Sequence, residues 1–411
     1  MASDKAETFA PETREQVAEA VAWAVSEQAP LEVVGRGSKR GLGRPVQAAH
    51  SLNLSGLDGI TLYEPEELVL SARAGTPLAT IEATLEEKRQ MLAFEPADLG
   101  PLLGEASGAA SIGGTLACNL SGPRRIKAGA ARDHFLGFEA ASGRGEMFKS
   151  GGRVVKNVTG YDLCKLLCGS YGTLAVMTDV TVKVLPRPEK TYTVLVAGLD
   201  DAAAAGAMTR ALGSPHEVSG AAHLPAALAA KSAMSYIAGA GASVTALRLE
   251  GPRPSVEHRC VALRRELADL GATEELHSHN SREFWQEVRD VRPFIGRQDT
   301  AVWRLSVAPS AGPGVVAAIG GGEAFYDWGG GLVWLALPLG KSGGDVGTAR
   351  VRAAVATVGG HATLIRAPLE LRAATSVFQP QDSAIAALTQ RVKDGFDPKR
   401  VLNPGRMYAG L

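Results

Sequence analysis

Small residues are unusually dense between residues 107 and 188, and this stretch is the best suited to chemistry. Glycine lets the backbone approach a ligand closely, and successive exposed N–H groups form a concave nest for an anion such as a pyrophosphate. The polar side chains between the glycines could hydrogen-bond a large polar cofactor: Thr115, Asn119, Ser121, Asn157, Tyr161 and Asp162. The alternative is a series of tight turns in an α/β domain. A second glycine element upstream favours the cofactor.

That second element is the loop Gly35-Arg-Gly-Ser-Lys-Arg-Gly41, which follows a predicted strand at 31–34. Its spacing is one residue off the dinucleotide fingerprint. The next residues, Leu42-Gly-Arg-Pro45, start a helix poorly, so the loop lacks the helix N-terminus that a Rossmann site uses. A pyrophosphate nest flanked by the cations Arg36 and Lys39 fits better. Taken alone, the loop is equally consistent with a plain strand–loop connection.

Composition is that of an ordinary globular protein with a sizeable core. The chain has 411 residues, of which 45% are hydrophobic and 21% charged, and its formal net charge is zero. This charge balance gives neither the basic field of a nucleic-acid-binding protein nor the acidic excess of a disordered one. The length is sufficient for two domains, or for one large domain with an insertion.

The four cysteines form no C-x-x-C pair, so we expect no zinc site, no iron–sulfur cluster and no other metal site in this chain. Cys164 and Cys168 are predicted to be small buried residues rather than a redox pair. Reduced thiols indicate the cytoplasm. The N-terminus lacks the apolar run of a signal peptide, and no apolar run reaches the length of a membrane span. Any contact with the inner face of a membrane is expected to come through partners.

Hydrophobic periodicity and turn signals predict the positions of the helices and strands. In the first part, helices are predicted at about 11–28, 77–89 and 162–168, and strands at 31–34, 51–55, 68–74, 135–142 and 173–185. Pro186 and Pro188 mark a boundary. Beyond it, strands are predicted at 191–196, 243–250, 301–307 and 332–337, and helices at about 201–212, 225–237, 254–270, 281–290 and 345–357. Gly320–Gly322 and Gly329–Gly331 are interpreted as hairpin turns.

The motifs together resemble the FAD-binding domain of the vanillyl-alcohol oxidase or p-cresol methylhydroxylase (PCMH) type. The matching segments are Gly35–Ser38, Ser111–Gly114, Asn119–Gly122, Arg132-Asp133, Gly172–Val176 and the tail Asp397–Gly405. Within that superfamily, Lys156–Asp162 and Ser121–Arg125 are most similar to the FAD-binding subunits of glycolate oxidase. The resemblance covers residues 14–188 and 395–411, under half of the chain.

The resemblance implies an α+β fold with a two-subdomain FAD-binding domain at 1–188. A second α/β domain, ferredoxin-like or a cap, is expected at 189–394, with a C-terminal segment at 395–411 packing back on the first. The pyrophosphate of FAD would lie on the backbone of 35–38 and 111–122, with adenine and ribose along 157–176. The implied FAD-binding residues are Gly35, Arg36, Gly37, Ser38, Ser111, Gly113, Gly114, Thr115, Asn119, Ser121, Gly122, Arg132, Asp133, Asn157, Tyr161, Asp162, Gly172 and Val176.

Two departures from the superfamily refine this expectation. The early loop has no histidine for covalent attachment, so we predict non-covalent FAD. The motif H-G-H-x-G-D-G-N of related D-2-hydroxyacid dehydrogenases is absent, and no catalytic residue is assigned. His134, His277, His279 and His361 are interpreted as structural or solvated residues.

Three hypotheses follow. The first is an oxidoreductase subunit that binds FAD in a complex oxidising glycolate, together with a related FAD-containing subunit and an iron–sulfur subunit. The second is a self-contained flavin-dependent oxidoreductase whose substrate is bound by the 189–394 domain. The third is a flavin-free scaffold, which the retained glycines argue against. The missing histidine motif favours the first.

Overall fold

The computed structural model describes residues 6–153, 160–340 and 346–411. The strands found there are β1 (Thr8–Phe9), β2 (Leu31–Val34), β3 (His50–Asn53), β4 (Ile60–Glu64), β5 (Val69–Arg73), β6 (Gln90–Met91), β7 (Phe135–Ser142), β8 (Met147–Gly151), β9 (Ala175–Lys183), β10 (Leu185–Pro186), β11 (Lys190–Ala197), β12 (Gly220–Leu224), β13 (Val244–Gly251), β14 (Thr273–His277), β15 (Thr300–Ser306), β16 (Glu323–Asp327), β17 (Leu332–Pro338) and β18 (His361–Arg366).

The α-helices of the same ranges are α1 (Arg14–Glu27), α2 (Leu78–Glu87), α3 (Ile112–Ala117), α4 (Arg125–Ala128), α5 (Ala131–His134), α6 (Leu163–Leu167), α7 (Asp201–Leu212), α8 (Ala226–Ala229), α9 (Ser235–Ala238), α10 (Arg253–Leu267), α11 (Ser278–Arg289), α12 (Gly312–Ile319), α13 (Thr348–Ala356), α14 (Leu369–Ala374) and α15 (Ser383–Phe396). The chain divides into two compact units. The first contains the described residues up to 120 with 129–186 and 376–411, and the second contains 121–128 and 187–375.

The first unit holds two sheets with separate cores. Strands β4-β5-β9-β7-β8 form a five-stranded antiparallel sheet, and β1-β3-β2 form a three-stranded parallel sheet. Leu70, Phe135 and Val182 belong to the core of the antiparallel sheet, which also includes α2 and α3 residues. Val17 and Leu31 belong to the second core, between α1 and the parallel sheet.

Helix α1 begins three residues later than predicted because Thr13, not a residue near Pro11, caps it. The Thr13 hydroxyl accepts a hydrogen bond from the Gln16 N–H at 3.2 Å, and Gln16 Oε1 accepts one from the Thr13 N–H at 3.3 Å. This reciprocal pair is a capping box. The apolar face of the helix is buried as the pattern predicted, with Val17 and Val21 fully inaccessible.

The second unit is built on one eight-stranded antiparallel sheet with the order β14-β11-β13-β12-β16-β17-β15-β18. Its first four strands in sequence, β11 to β14, and its last four, β15 to β18, each follow a β-α-β-β-α-β ferredoxin-like course. The spatial order of the second set mirrors that of the first. The two sets meet where β12 pairs with β16, at His223 and Tyr326. The unit is therefore an internal structural repeat, which the sequence did not reveal.

Residues 121–128 belong to the second unit, although the residues just before and just after them in sequence belong to the first. Arg124 donates two hydrogen bonds to the Glu250 carboxylate, at 2.9 and 2.7 Å. The Trp328 indole N–H donates to the Gly122 carbonyl at 3.1 Å, and the Arg125 guanidinium lies 4.4 Å from the Trp328 ring centroid. The Trp328 ring and the buried Glu250 carboxylate thus hold residues 121–128 in the second unit.

Two predictions about the second unit were wrong. Gly320–Gly322 is not a hairpin turn, because it connects the end of α12 to β16; Gly329–Gly331, by contrast, lies in the β16–β17 hairpin as predicted. The helix predicted at 225–237 is two short helices, α8 and α9, separated by a turn in which Ser232 and the Ala233 N–H bond the Glu287 carboxylate. Among the described residues, no helix combines the length and apolarity needed to cross a membrane.

Candidate cofactor site

The first unit contains a pocket at the end of β2. It encloses about 740 Å³ of space, its open mouth included. Its walls come from the loop at 35–40, from the first turns of α3, from the start of β9 and from the C-terminal segment. The sequence separation of these elements exceeds 300 residues, so only the tertiary fold assembles them.

The loop after β2 needs its glycines for two different reasons. A Cβ on Gly35 would lie 2.5 Å from the Ser111 hydroxyl, so a side chain there would collide with the opposite wall. Gly37 has open space around it but a φ of 84°, a conformation that other residues adopt with strain. The loop can therefore lie close to α3 and turn back sharply.

The backbone of this loop presents hydrogen-bond donors. Within the described residues, the N–H groups of Arg36, Gly37, Ser38 and Lys39 have no protein acceptor, although all four residues line the pocket. Buried or half-buried N–H groups ordinarily find partners. Successive free N–H groups in a turn form the kind of concavity that binds phosphate. This observation fits the diphosphate of a dinucleotide cofactor.

Arg36 shapes the loop through protein contacts. Its Nε donates to the Gly75 carbonyl at 2.8 Å and its Nη2 to the Asp58 carboxylate at 2.7 Å. The guanidinium is thereby committed to the first unit's own backbone and side chains. Arg36 thus holds the loop in place through its Nε and Nη2.

The opposite wall is the start of α3. Ser111 caps the helix, with its hydroxyl accepting from the Gly114 N–H at 3.4 Å. A Cβ on Gly113 would lie 2.7 Å from the Ala74 Cβ, so glycine is needed for this helix to pack against the end of β5. Thr115 is fully buried and donates to the Ser111 carbonyl at 2.9 Å. Its hydroxyl is therefore used inside the helix.

The third wall combines the turn before β9 with the C-terminal segment. The Asn403 Oδ1 accepts from the Val33 N–H at 2.8 Å, and its Nδ2 donates to the Tyr171 carbonyl at 2.8 Å. Gly172, with a φ of 69°, leaves room for this amide, because a Cβ there would lie 2.8 Å from Asn403 Nδ2. One asparagine thus ties β2, the turn and the tail together around the pocket.

The charged side chains that line the pocket are mostly basic. They are Glu32, Arg36, Lys39, Arg40 and Arg406. Arg40 binds the Glu32 carboxylate, with Nε–Oε1 at 3.1 Å. Arg406 donates to the Lys39 carbonyl at 3.0 Å, and burial lowers the pKa of its guanidinium. Burial also lowers the pKa of the Lys39 ammonium. The pocket is an electropositive environment suited to an anion.

Half of the predicted binding residues meet at this pocket, and the others lie elsewhere. The pocket is lined by Gly35, Arg36, Gly37, Ser38, Ser111, Gly113, Gly114, Gly172 and Val176. Asn157 lies outside the described residues. Ser121 and Gly122 belong to the second unit. Tyr161 is 89% exposed, and Asp162 lies 3.5 Å from the ammonium of Lys165.

The remaining predicted residues near the loop at 119–134 support local structure. Asn119 has a φ of 49°, and its Oδ1 accepts from the Arg132 N–H at 3.3 Å. The Asp133 carboxylate accepts from the Ala130 N–H at 2.8 Å at the start of α5. The Arg132 side chain is half exposed, 3.8 Å from Asp133. These residues order the chain behind α3 rather than line the pocket.

The pocket residues missing from the set predicted from sequence include Asn403, Arg406 and Lys39, the last despite its mention as a flanking cation. The tail was expected to pack on the first domain, but no pattern indicates which of its side chains faces a loop 370 positions upstream. The signal that existed was the Asn403-Pro-Gly-Arg406 run itself, which follows the apolar pair Val401-Leu402 and whose two polar residues are buried.

The cysteines are thiols in the described structure, and burial raises the pKa of each. The pKa of Cys164 is raised to about 11 and that of Cys168 to about 12. Neither is therefore a thiolate at neutral pH. In the parts of the chain described, no three His, Cys, Asp or Glu side chains are grouped so as to hold a metal ion.

Comparison with known proteins agrees with this site. A sequence model of the FAD binding domain matches residues 6–151. Among solved structures, 4-ethylphenol oxidase from Gulosibacter chungangensis superposes with a TM-score of 0.70 at 14% identity, covering 100% of this chain and 91% of that one. For p-cresol methylhydroxylase the TM-score is 0.68 at 14% identity, covering 98% and 88%. The matched domain is an FAD binding domain, the fold is that of the PCMH-type oxidases, and the expected α+β fold is confirmed.

Proteins that are similar in sequence identify the family of this chain more closely. Glycolate oxidase subunit GlcE of Escherichia coli is 38% identical over 395 residues, which are 96% of this chain and 97% of the relative. Glycolate oxidase subunit GlcD of Bacillus subtilis is 41% identical over 95 residues, 23% of this chain and 20% of the relative. D-2-hydroxyglutarate dehydrogenase of Xanthomonas citri is 31% identical over 46% of this chain and 38% of the relative. The chain belongs to the family of the glycolate oxidase subunit GlcE.

Proposed function

We propose that this chain is the FAD-binding subunit of a multi-subunit glycolate oxidase and takes part in the oxidation of glycolate to glyoxylate. The observation that carries the proposal is the likeness to GlcE over nearly the whole length of both chains. The pocket adds physical support, because four successive backbone N–H groups without protein acceptors line it, in the part of the chain that the structure describes.

When bound, FAD would supply redox chemistry to the complex, in which oxidation of a hydroxy acid removes one hydride, carrying two electrons, and one proton. The protein's own residues bind and orient it. The N–H groups of the loop at 36–39 would donate to the diphosphate, and Arg36 keeps that loop in position through Asp58 and the Gly75 carbonyl. The expectation of non-covalent attachment rests on the absence of histidine from the loop at 35–41.

The partners are part of the same proposal. A related FAD-containing subunit would hold the hydroxy acid, and an iron–sulfur subunit would pass the electrons on. The names of the relatives support the first of these, since GlcE and GlcD are each called a subunit of glycolate oxidase. The absence of the H-G-H-x-G-D-G-N motif from this sequence also supports it. Residence in the cytoplasm, with membrane contact only through partners, belongs to the same picture.

We assign different roles to the two units. The first unit, with the pocket, would bind FAD, and the second, with its repeated ferredoxin-like sheet, would serve as a cap or a surface for subunit interaction. The domain limits proposed from sequence, 1–188, 189–394 and 395–411, are comparable with the compact units. The units differ from them by including 376–394 with the first unit and 121–128 with the second.

Activity measurements with and without partners test the function. The purified chain and its complex, obtained by co-expression with a GlcD-like subunit and an iron–sulfur subunit, would be assayed for glycolate-dependent reduction of a dye. We expect glyoxylate from the complex and none from the chain alone. Oxidation of glycolate by the chain alone would contradict the subunit role. A complex that loses no activity when this chain is omitted would contradict any role in the reaction.

A further inference from the structure

The second unit has a pocket of its own, at the turn that leads from α12 into β16. It encloses about 1170 Å³ of space, its open mouth included. Its walls come from that turn, from the end of β17, from the loop at 292–297 and from Lys231, which follows α8. The residues that line it all belong to the second unit, whereas those that line the pocket after β2 all belong to the first. The two pockets are therefore separate sites.

Two cations of this second-unit pocket share the carboxylate of Glu323. The Lys231 Nζ lies 3.1 Å from a Glu323 carboxylate oxygen, and the Arg297 guanidinium contacts the same carboxylate. Burial lowers the pKa of the Lys231 ammonium, and the charge of Arg297 lowers it further. Two positive charges thus lie close together, and the single negative charge of Glu323 does not neutralise both.

A third cation of the pocket, Arg292, has only a shared counter-charge. Its Nη2 lies 3.9 Å from the Asp290 carboxylate, which already accepts hydrogen bonds from Arg289 at 2.8 and 2.9 Å. The Arg292 side chain is 45% exposed, so it is accessible to a ligand. Among the described residues, three cations and one carboxylate line the pocket, which gives a net charge of +2. The pocket is therefore suited to a doubly charged anion.

The turn between α12 and β16 contributes backbone donors to the same pocket. Gly321 has a φ of 68°, and a Cβ on Gly322 would lie 2.7 Å from the Ala336 carbonyl oxygen, so glycines let the turn lie against β17. Arg350 holds the turn by donating to the Gly320 carbonyl at 3.4 Å. In the part of the chain that is described, the N–H groups of Gly321 and Gly322 have no backbone acceptor. Successive N–H groups of this kind form a concavity that binds anions.

We propose that this pocket is a second ligand site, which binds a phosphate monoester through Lys231, Arg292, Arg297 and the turn at 320–322. A phosphate monoester carries about 1.5 to 2 negative charges at pH 7 and three strong acceptor oxygens, so it complements both the net charge and the N–H donors. A soluble phosphate ester and the head group of phosphatidic acid present this same chemistry, and the test separates the two sources. The site goes beyond the glycolate oxidase role and does not depend on it.

Titration calorimetry of the chain saturated with FAD tests the site, because FAD then occupies the pocket of the first unit. The probes are glycerol 3-phosphate and vesicles with and without phosphatidic acid. The variants are Lys231→Met and Arg292→Met, and the control is Arg265→Met, which removes the same charge from an exposed position on α10 of the same unit. Loss of one charge-assisted hydrogen bond to the phosphate should weaken binding by about 10-fold.

We expect saturable binding of the phosphate ester, weakened in both pocket variants and unchanged in the control. Glu323→Gln should have the opposite effect and tighten binding by about 10-fold, because it removes the carboxylate that competes with the ligand for Lys231 and Arg297. A purely structural ion pair would give no such gain.

The inference would be overturned if neither probe bound saturably, or if Lys231→Met and Arg292→Met bound as tightly as the wild type. A Glu323→Gln variant that binds no more tightly than the wild type would also contradict it. Binding to phosphatidic acid vesicles alone, weakened in the same two variants, would support the phosphate site and identify a lipid as the source of the phosphate.

Discussion

At the scale of single residues, the pocket depends on two glycines that have no side chain. Gly35 leaves space for the Ser111 hydroxyl, and Gly172 leaves space for the Asn403 amide. Both are close approaches between segments distant in sequence. Sequence motifs can identify such glycines, because they recur within a recognisable pattern. They do not reveal that Thr115 and Asn119 use their polar groups on neighbouring backbone.

Gly35→Ala tests the close approach of Gly35 to the Ser111 hydroxyl. The added Cβ would lie 2.5 Å from the Ser111 Oγ, so the loop or α3 must move. Overpacking of this kind costs roughly 1–3 kcal/mol, so we expect FAD affinity to fall by about 10-fold. Fluorescence titration of the FAD-free protein measures this.

Gly206→Ala is the matched control, because Gly206 lies in α7 and nothing is within 4 Å of its added Cβ. There we expect unchanged FAD affinity and a stabilisation of about 0.5–1 kcal/mol. Equal FAD affinity in Gly35→Ala and the wild type would show that the close approach to Ser111 does not matter for binding.

At the scale of elements, most of the helices and strands predicted from local patterns are found to within a few residues, but many others, such as β4, β8, β12 and β16, were not predicted. The prediction succeeded at 135–142 and 201–212 because apolar periodicity and caps agree there. Local patterns did not predict which residues the C-terminal segment contacts. Leu402 pairs with Leu31 beside β2, and the Leu31 N–H donates to the Val401 carbonyl at 2.7 Å. Such a contact between the two ends of the chain leaves no periodic signal.

Lys393 and Asp397 anchor this segment. The Lys393 ammonium donates to the Thr173 carbonyl, to the Leu402 carbonyl and to the Asp397 carboxylate, at 2.7, 3.0 and 2.7 Å. Burial lowers the pKa of Lys393, against the attraction of Asp397. Asp397 is fully buried and also accepts from the Val401 and Leu402 N–H groups, at 3.0 and 2.9 Å.

Asp397→Ala should therefore destabilise the first unit by about 3–5 kcal/mol, because it leaves a buried ammonium unpaired. Hydrogen exchange should accelerate at 401–406 and at the turn before β9, and FAD affinity should fall with it. Asp394→Ala, at an exposed position that binds Arg400 at 2.8 Å, is the control and should leave exchange unchanged. Wild-type protection of 401–406 in Asp397→Ala would refute the anchoring role.

At the scale of the whole molecule, the chain alternates between its two units. It passes from the first to the second at 120, returns at 128, and crosses again at 186 and 375. The prolines at 186 and 188 made the third crossing predictable. The first two were not, because 121–128 is held by Glu250 and Trp328, more than a hundred residues away. The repeat in the second unit was also hidden, since its halves share a topology rather than a sequence pattern.

Glu250 makes the second unit sensitive to acid. Burial alone would raise the pKa of its carboxyl, but the charges of Arg248 and Arg124 more than offset this and lower it to about 2. A carboxyl with a lowered pKa contributes stability above its unfolded pKa, about 4.3, and loses that contribution as pH falls toward 2. Glu250→Gln should cost about 3–5 kcal/mol at pH 7.

The difference between Glu250→Gln and the wild type should shrink as the pH falls from 5 to 2. Thermal unfolding followed by tryptophan fluorescence measures it, since four of the five tryptophans lie in the second unit. Glu257→Gln, whose carboxylate forms an exposed pair with Arg253, is the control. A difference that stays constant over this pH range would mean that Glu250 is not ionised in a buried pair.

The most direct test of the account is the visible spectrum of the purified chain, followed by acid precipitation and filtration. We predict the absorption bands of a flavin on the protein and FAD in the filtrate, because the backbone N–H groups of the pocket would hold the diphosphate without a covalent bond. Colour retained by the precipitated protein would contradict non-covalent binding. A colourless protein that stays colourless after incubation with FAD would contradict the central claim that this chain is an FAD-binding subunit.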